Sequence, residues 1–396
     1  MAPPTSVPLA VWALLLLATP CVGWDCAGHM MTAEAALRWL SPEHRAWYGP
    51  AMAYMRNYGF LTSSDGEVAC WPDDLRNYTD FSYPWSNWHY AALCWTATQA
   101  DQDAYCANFS AATQGGRLVE ALAAARRGLE SAMLAGPEQV AAAGFWLGWV
   151  MHLTGDAHQP LHWCTQFNAE FPQGNRGANA VLVGYDPSAV TPGATPTGQL
   201  TWINLHSFYD SQGGTTNYTW PPRPIAASPP AVAAVAGWGD ALQAWLHDGR
   251  NRSFVMPPGV PMDMPPEGPP PESVLSDTNV ADWEQEVVAL CMTVYMNGSM
   301  ANGTVLTPAY VALARTMLAG QVAIGGARLG AILAGIHANV QEAQAPLLST
   351  TAIILIAVGG GIVVVLAAGL IASRVRRHAR RGGYDRTGED LVAHAE

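Results

Sequence analysis

The chain of 396 residues contains no lysine, so all 19 of its permanent cations are arginine. A lysine-dependent phosphate loop and a lysine Schiff base are thereby excluded. Charge of any sign is scarce, at 13% of residues, and acids prevail to give a formal net charge of −12. That balance argues against a long basic groove for duplex nucleic acid. Strand signals are few; the best is the short run AVLV at 180–183. No internal repeat is visible.

Apolar residues, by contrast, make up half the chain. Two runs read as membrane-type segments. The first, 7–19, is too short to span a bilayer and precedes Cys21-Val22-Gly23, small residues of the kind a signal peptidase reads, so 1–23 is expected to be a signal peptide. The second, 352–372, carries no charge and has the length a bilayer requires. Arg374, Arg376, Arg377, Arg380 and Arg381 follow it, which places the tail 373–396 in the cytoplasm. The expected protein is a type I, membrane-anchored chain with its ectodomain extracellular or luminal. Six cysteines remain after the signal, an even number that suits three disulfides in an oxidising compartment. Sequence leaves their pairing open; Cys94–Cys106 and Cys26–Cys70 are the pairs we expect. Sequons at Asn77, Asn108, Asn217, Asn251, Asn297 and Asn302 all lie on one side of the anchor and suit a glycoprotein.

Helical periodicity predicts helices over 29–40, 117–134, 138–157, 230–247, 280–296 and 308–338. Composition marks 186–199 and the proline-rich 256–272 as loops. The fold class expected is mainly α: a single globular helical domain over 24–340, a juxtamembrane linker at 341–351, and the transmembrane helix. No obligate protein partner is inferred.

The run FWLGWVMHLTGDAHQPLHWC, 145–164, is the most informative stretch. His152 and Asp156 stand four apart and share a helix face. Pro160 is expected to end that helix and swing His162 to the same cavity. Imidazole and carboxylate together suit zinc. One isolated His-x3-Asp is more often a satisfied buried pair. Here NLHSFYD repeats the spacing with His206 and Asp210, and His29, Asp73 and His89 stand upstream. WDCAGH begins where the signal ends; a new α-amino group on Trp24 and its carbonyl can chelate a metal beside His29. CWPDDLR supplies Asp73, and Arg76 with a guanidinium suited to phosphate.

In this order the pieces resemble the S1/P1 nucleases, zinc-dependent type I nucleases, across nearly the whole ectodomain. The anchored form is similar to membrane-bound 3′-nucleotidase/nucleases. The resemblance implies three zinc ions in one cleft. Asp73, His89, His152 and Asp156 would hold the first. His162, His206 and Asp210 would hold the second. Trp24, His29 and Asp156 would hold the third, so that Asp156 bridges two. It further implies Arg76 on the phosphate, Tyr90 stacked on the base, Asn179 recognising it, and His158 supporting rather than ligating. Ala92, Ala178 and Tyr209 depart from common family residues, but no ligand is lost. The implied activity is hydrolysis of single-stranded DNA or RNA to 5′-phosphate products, and of 3′-nucleotides to nucleosides, by metal-bound hydroxide. Two alternatives share these residues: a phospholipase C-like zinc hydrolase, and a non-catalytic zinc-stabilised surface receptor. The three-ligand second site, with a position left open, favours catalysis over the latter.

Overall fold

A computed structural model describes residues 24–57, 63–75, 83–107, 109, 115–190, 197–214, 228–248 and 268–345. Residues 1–23, expected to be a signal peptide, Arg76, the sequons at Asn77, Asn108, Asn217 and Asn251, most of the proline-rich loop, and 352–372 with the tail that follows lie outside the described residues. The chain divides into a large compact unit ending at Asn339 and a second from Val340 to Glu396.

The protein is mainly helical. We label the principal helices α1 (Cys26–Trp39), α2 (Pro42–Asn57), α3 (Leu118–Ala135), α4 (Val140–Asp156), α5 (Pro160–Trp163), α6 (Leu205–Asp210), α7 (Pro229–Asp248), α8 (Val280–Ala289) and α9 (Pro308–Gln344). Short helical turns between them are named by range. Five short strands complete the fold: β1 (Leu93–Trp95), β2 (Cys164–Gln166), β3 (Leu182–Tyr185), β4 (Thr201–Asn204) and β5 (Thr304–Val305). β1 and β2 pair in parallel, Leu93 opposite Cys164. β3 lies between antiparallel β4 and parallel β5.

The predicted helices are present with shifted ends, except that 280–296 breaks at Leu290. Cys291 follows the break and joins Cys164 on β2. The other disulfides are Cys26–Cys70 and Cys94–Cys106. α2 was not expected; Pro50 interrupts its helical signal, and its buried residues, Tyr48, Ala51, Met52 and Met55, are a sparse set.

α1, α4 and α9 form the centre. α9 is long and apolar enough to cross a membrane, but most of its apolar stretch is buried inside the protein. Leu318, Val322, Leu329 and Leu333 are core residues. Gly326 permits its crossing with α1: a Cβ there would lie 2.5 Å from Ala35 Cβ and 3.0 Å from the Thr32 carbonyl. Tyr48 of α2 donates to the Leu333 carbonyl at 2.8 Å. This packing holds the first turn of α1 against the last turn of α4, where the site is built.

Candidate metal centre and adjoining cleft

α4 is apolar almost throughout and fully buried from Leu147 to Asp156. His152 and Asp156, one turn apart, are therefore carried into the interior. The helix stops at Asp156. Gln159 is extended, as the residue before a proline must be, and Pro160 opens α5 at its first turn. Pro160 thus begins the next helix rather than ending α4, a correction to the sequence reading. The chain turns back all the same, and His162 Nδ1 comes within 3.4 Å of Asp156 Oδ1. α6 is capped by Asn204, whose side chain accepts from Ser207 N at 2.7 Å, and presents His206 and Asp210 from its two ends. α1 is capped by Asp25, which accepts from Gly28 N at 3.1 Å. The Cys26–Cys70 bridge ties its first turn to the helical turn at Gly66–Cys70, directly ahead of Trp71–Asp74. That link fixes His29 and Asp73 relative to each other.

Asp156 sits at the centre. Its Oδ2 lies 3.1 Å from both His89 Nδ1 and His152 Nε2. Its Oδ1 lies 3.5 Å from His29 Nε2 and faces His162. Asp73 Oδ1 stands 3.7 Å from His152 Nε2 and 3.8 Å from His89 Nδ1, and its Oδ2 is 3.8 Å from His29 Nε2. Three groups can hold a metal ion: His29–Asp73–His152, His89–His152–Asp156, and His162–His206–Asp210. His29 thus falls with Asp73 and His152 as well as with Asp156.

The donor set fits zinc. Bonds of about 2.0–2.1 Å at a tetrahedral ion place ligand atoms about 3.3 Å apart. The spacings here run from 2.8 to 3.8 Å. Two tautomers are also set for ligation. A carbonyl can only accept, so His152 Nδ1 donates to Ala69 O at 2.8 Å, and His206 Nδ1 donates to Gly177 O at 2.6 Å. Each neutral ring then turns the Nε2 lone pair toward the carboxylates, as in histidines that bind metals. His152 Nε2 meets His89 Nδ1 at 2.8 Å, a contact that a shared cation would explain. Burial opposes protonation of His152, but Asp156 and Asp73 outweigh it and raise its pKa.

Asp210 makes the same point from the acid side. It is fully buried. Gln159 Nε2 donates to Oδ1 at 2.7 Å, while Oδ2 has no hydrogen-bond partner. Burial holds its pKa well above the usual carboxylate range against the Gln159 bond, and Asp25, Asp156 and Asp73 push the same way as burial. Cations among these four acids would reverse that field.

A cleft of about 300 Å³ opens beside His162, lined by Tyr90, Ala92, Leu161, Thr165, Gln173, Arg176 and Gly177. The β1–β2 pairing and the bonds from Ala91 N and Ala92 N to His162 O bring Tyr90 there. Trp24 is buried beside the cluster; its Nε1 donates to Gly155 O at 2.7 Å, and Asp25 N donates to Asp210 O at 3.1 Å. Asn179 is half-buried on the same loop as Arg176 and Gly177 but does not line the cleft; its Nδ2 donates to Arg176 O at 2.9 Å. Tyr209 is buried with its hydroxyl 2.8 Å from that of Tyr310.

His158 points elsewhere. Its Nδ1 donates to Thr154 O at 2.7 Å, and its Nε2 faces the buried Arg328 guanidinium at 3.2 Å. Burial and that cation push its pKa down to about 3. Arg328 also bonds Val274 O and Glu286 and lies over the Trp283 ring. Sequence reasoning missed Arg328, although an arginine in the apolar middle of a long helix was a usable signal. It also missed Asp25 and Gln159. The latter's place before Pro160 marks a helix cap, but not its bond to Asp210.

The family description S1/P1 Nuclease matches residues 24–338, more than half of the chain. The chain belongs to the S1/P1 nuclease family. Curated proteins give no match. An S1/P1 nuclease is a zinc-dependent phosphodiesterase, and the three histidine–aspartate groups are the residues here that can carry that dependence.

Proposed function

We propose that this S1/P1 nuclease hydrolyses single-stranded nucleic acid to 5′-phosphate products and removes the phosphate from 3′-nucleotides. One observation carries the reading: three metal-competent groups meet at Asp156, beside a cleft with Tyr90 on its wall. Asp73, His89, His152 and Asp156 would hold one zinc; His162, His206 and Asp210 a second; Trp24, through its amino group and carbonyl, with His29 and Asp156, a third. Bound zinc would lower the pKa of a water toward about 7 and offset phosphoryl charge.

The chain's own residues supply the rest. Asp156 presents one oxygen to each side of the cluster and so fixes the sites' separation. Ala69 O and Gly177 O hold two imidazoles in the ligating tautomer. Tyr90 offers a ring to an unstacked base, a contribution of about 1–3 kcal/mol with little sequence preference. Such a base is available in single strands. Asn179 would contact the base edge, and Arg76 would meet the phosphate.

The assay is phosphate release from 3′-AMP and cleavage of single-stranded DNA, with metal content measured on the same preparation. Zinc in the purified protein, with activity lost to a chelator and restored by zinc, is the expected result. Choline-phosphate release from lecithin without either nuclease activity would replace this reading with the phospholipase one. We further propose that 1–23 is removed on export, that the sequons carry glycans, and that 352–372 anchors the chain with the nuclease domain outside or in a lumen.

A further inference from the structure

Arg176 lines the cleft and belongs to no role yet described. Its side chain is exposed and has no hydrogen bond or ion pair among the described residues. In a chain with a formal net charge of −12, a cation with no acidic partner among the described residues, at a substrate cleft, calls for an anion from outside.

Its backbone is unusual too. Arg176, Gly177 and Ala178 lie in sequence at φ 57°, 58° and 65°. Side-chain-bearing residues avoid this region at a cost of about 1 kcal/mol or more, and persist there where the surroundings dictate it. The surroundings here do. Buried Asn175 Oδ1 accepts from Gln166 N at 3.1 Å and Ala178 N at 2.9 Å. Thr165 Oγ1 accepts from Gly177 N at 3.1 Å. Gly177 O takes the bond from His206 Nδ1. Both nitrogens of Asn179 donate to Arg176 O. One loop therefore fixes the tautomer of a metal-competent histidine and holds the Arg176 backbone at the cleft wall, on the same cleft as Tyr90 and His162.

We infer that Arg176 forms a second phosphate subsite. It binds the phosphate on the 5′ side of the nucleoside whose 3′-phosphate is hydrolysed at the cluster. Guanidinium suits this task because its planar fork pairs two phosphate oxygens at once. A 3′-mononucleotide lacks that 5′-phosphate; an oligonucleotide has it at every internal position. Arg176 would thus favour polymer over mononucleotide. This rests on the nuclease reading above and adds the substrate feature that the cleft selects.

The test uses the zinc-loaded full chain and two small substrates, adenosine 3′,5′-bisphosphate and 3′-AMP. The readout is the ratio of their kcat/KM values. In Arg176→Gln the ratio should fall about tenfold, through KM for the bisphosphate, as expected for a charge-assisted contact. Arg176→Lys should recover part of it. Arg176→Gly, which suits the left-handed backbone, should reproduce the fall with the fold and zinc content intact. In the wild type, raising salt should lower the ratio; in Arg176→Gln it should not. An unchanged ratio, or equal losses on both substrates, would overturn the subsite while leaving the nuclease reading in place. A wild-type protein inert toward both substrates removes the nuclease reading and the subsite with it.

Discussion

At the residue scale, Asp156 governs the site. Its two oxygens face different sets of histidines: Oδ2 meets His89 and His152, and Oδ1 faces His29 and His162. Asp156→Ala should leave the protein with one zinc of three and reduce hydrolysis by about 10³-fold or more, as loss of metal-borne charge stabilisation would require. Metal analysis of the purified variant checks this; a full complement would refute the bridge. His158 makes a different prediction. Its pKa falls from an unfolded value of about 6.5 to about 3. The unfolded chain then binds a proton that the folded chain refuses. Stability is undiminished above about pH 6.5 and is lost as pH falls toward 3. Between pH 7 and 5 this single group should cost about 2 kcal/mol. Urea unfolding of chelator-treated protein should show that loss in wild type and a smaller one in His158→Gln.

The histidines and aspartates were legible because two pairs of them, His152 with Asp156 and His206 with Asp210, repeat one helical spacing and the others carry ligand chemistry. Asp25, Gln159 and Arg176 were not. Their importance comes from what lies across from them in space, and a capping acid, a glutamine before proline and a loop arginine have ordinary explanations in sequence. Ala178 was noticed as a departure, but its left-handed backbone could not be read from composition.

At the element scale, the site depends on how closely α1 meets the end of α4. A Cβ on Gly155 would lie 2.9 Å from His29 Nδ1 and 3.5 Å from Trp24 Cδ1. Gly155→Ala should push the first turn of α1 outward, destabilise the fold by about 1–3 kcal/mol and weaken zinc retention. Thermal unfolding with and without chelator measures both effects; a variant with wild-type zinc retention would show that α1 can yield without moving His29. Long apolar helices were legible because their periodicity is strong. Helix ends were less so: α4 closes at Asp156, four residues before Pro160, and the proline opens α5, whose first turn suits it. The three-stranded sheet shows only in part, through AVLV, because strands of two to four residues give alternation too few positions.

At the scale of the whole molecule, two apolar runs that look alike in sequence call for different readings. α9 would pass for a membrane span on length and composition, yet its apolar surface is spent on the core. The run 352–372 has the same signature, and the positive flank that follows it is what distinguishes it in sequence. A chain ending at residue 345 should be released from membranes and keep its zinc, whereas the full chain should sediment with vesicles until detergent is added. Retention of the shortened protein on vesicles would assign membrane binding to the large unit.

The bridge between Cys26 and Cys70 has one more implication. It joins the two segments that bring His29 and Asp73 together, so a newly made chain with both thiols reduced has no covalent tie across that corner of the cluster. Pairing of these thiols therefore closes a covalent loop around that corner, and a chain that folds with them reduced must keep His29 near Asp73 by packing alone.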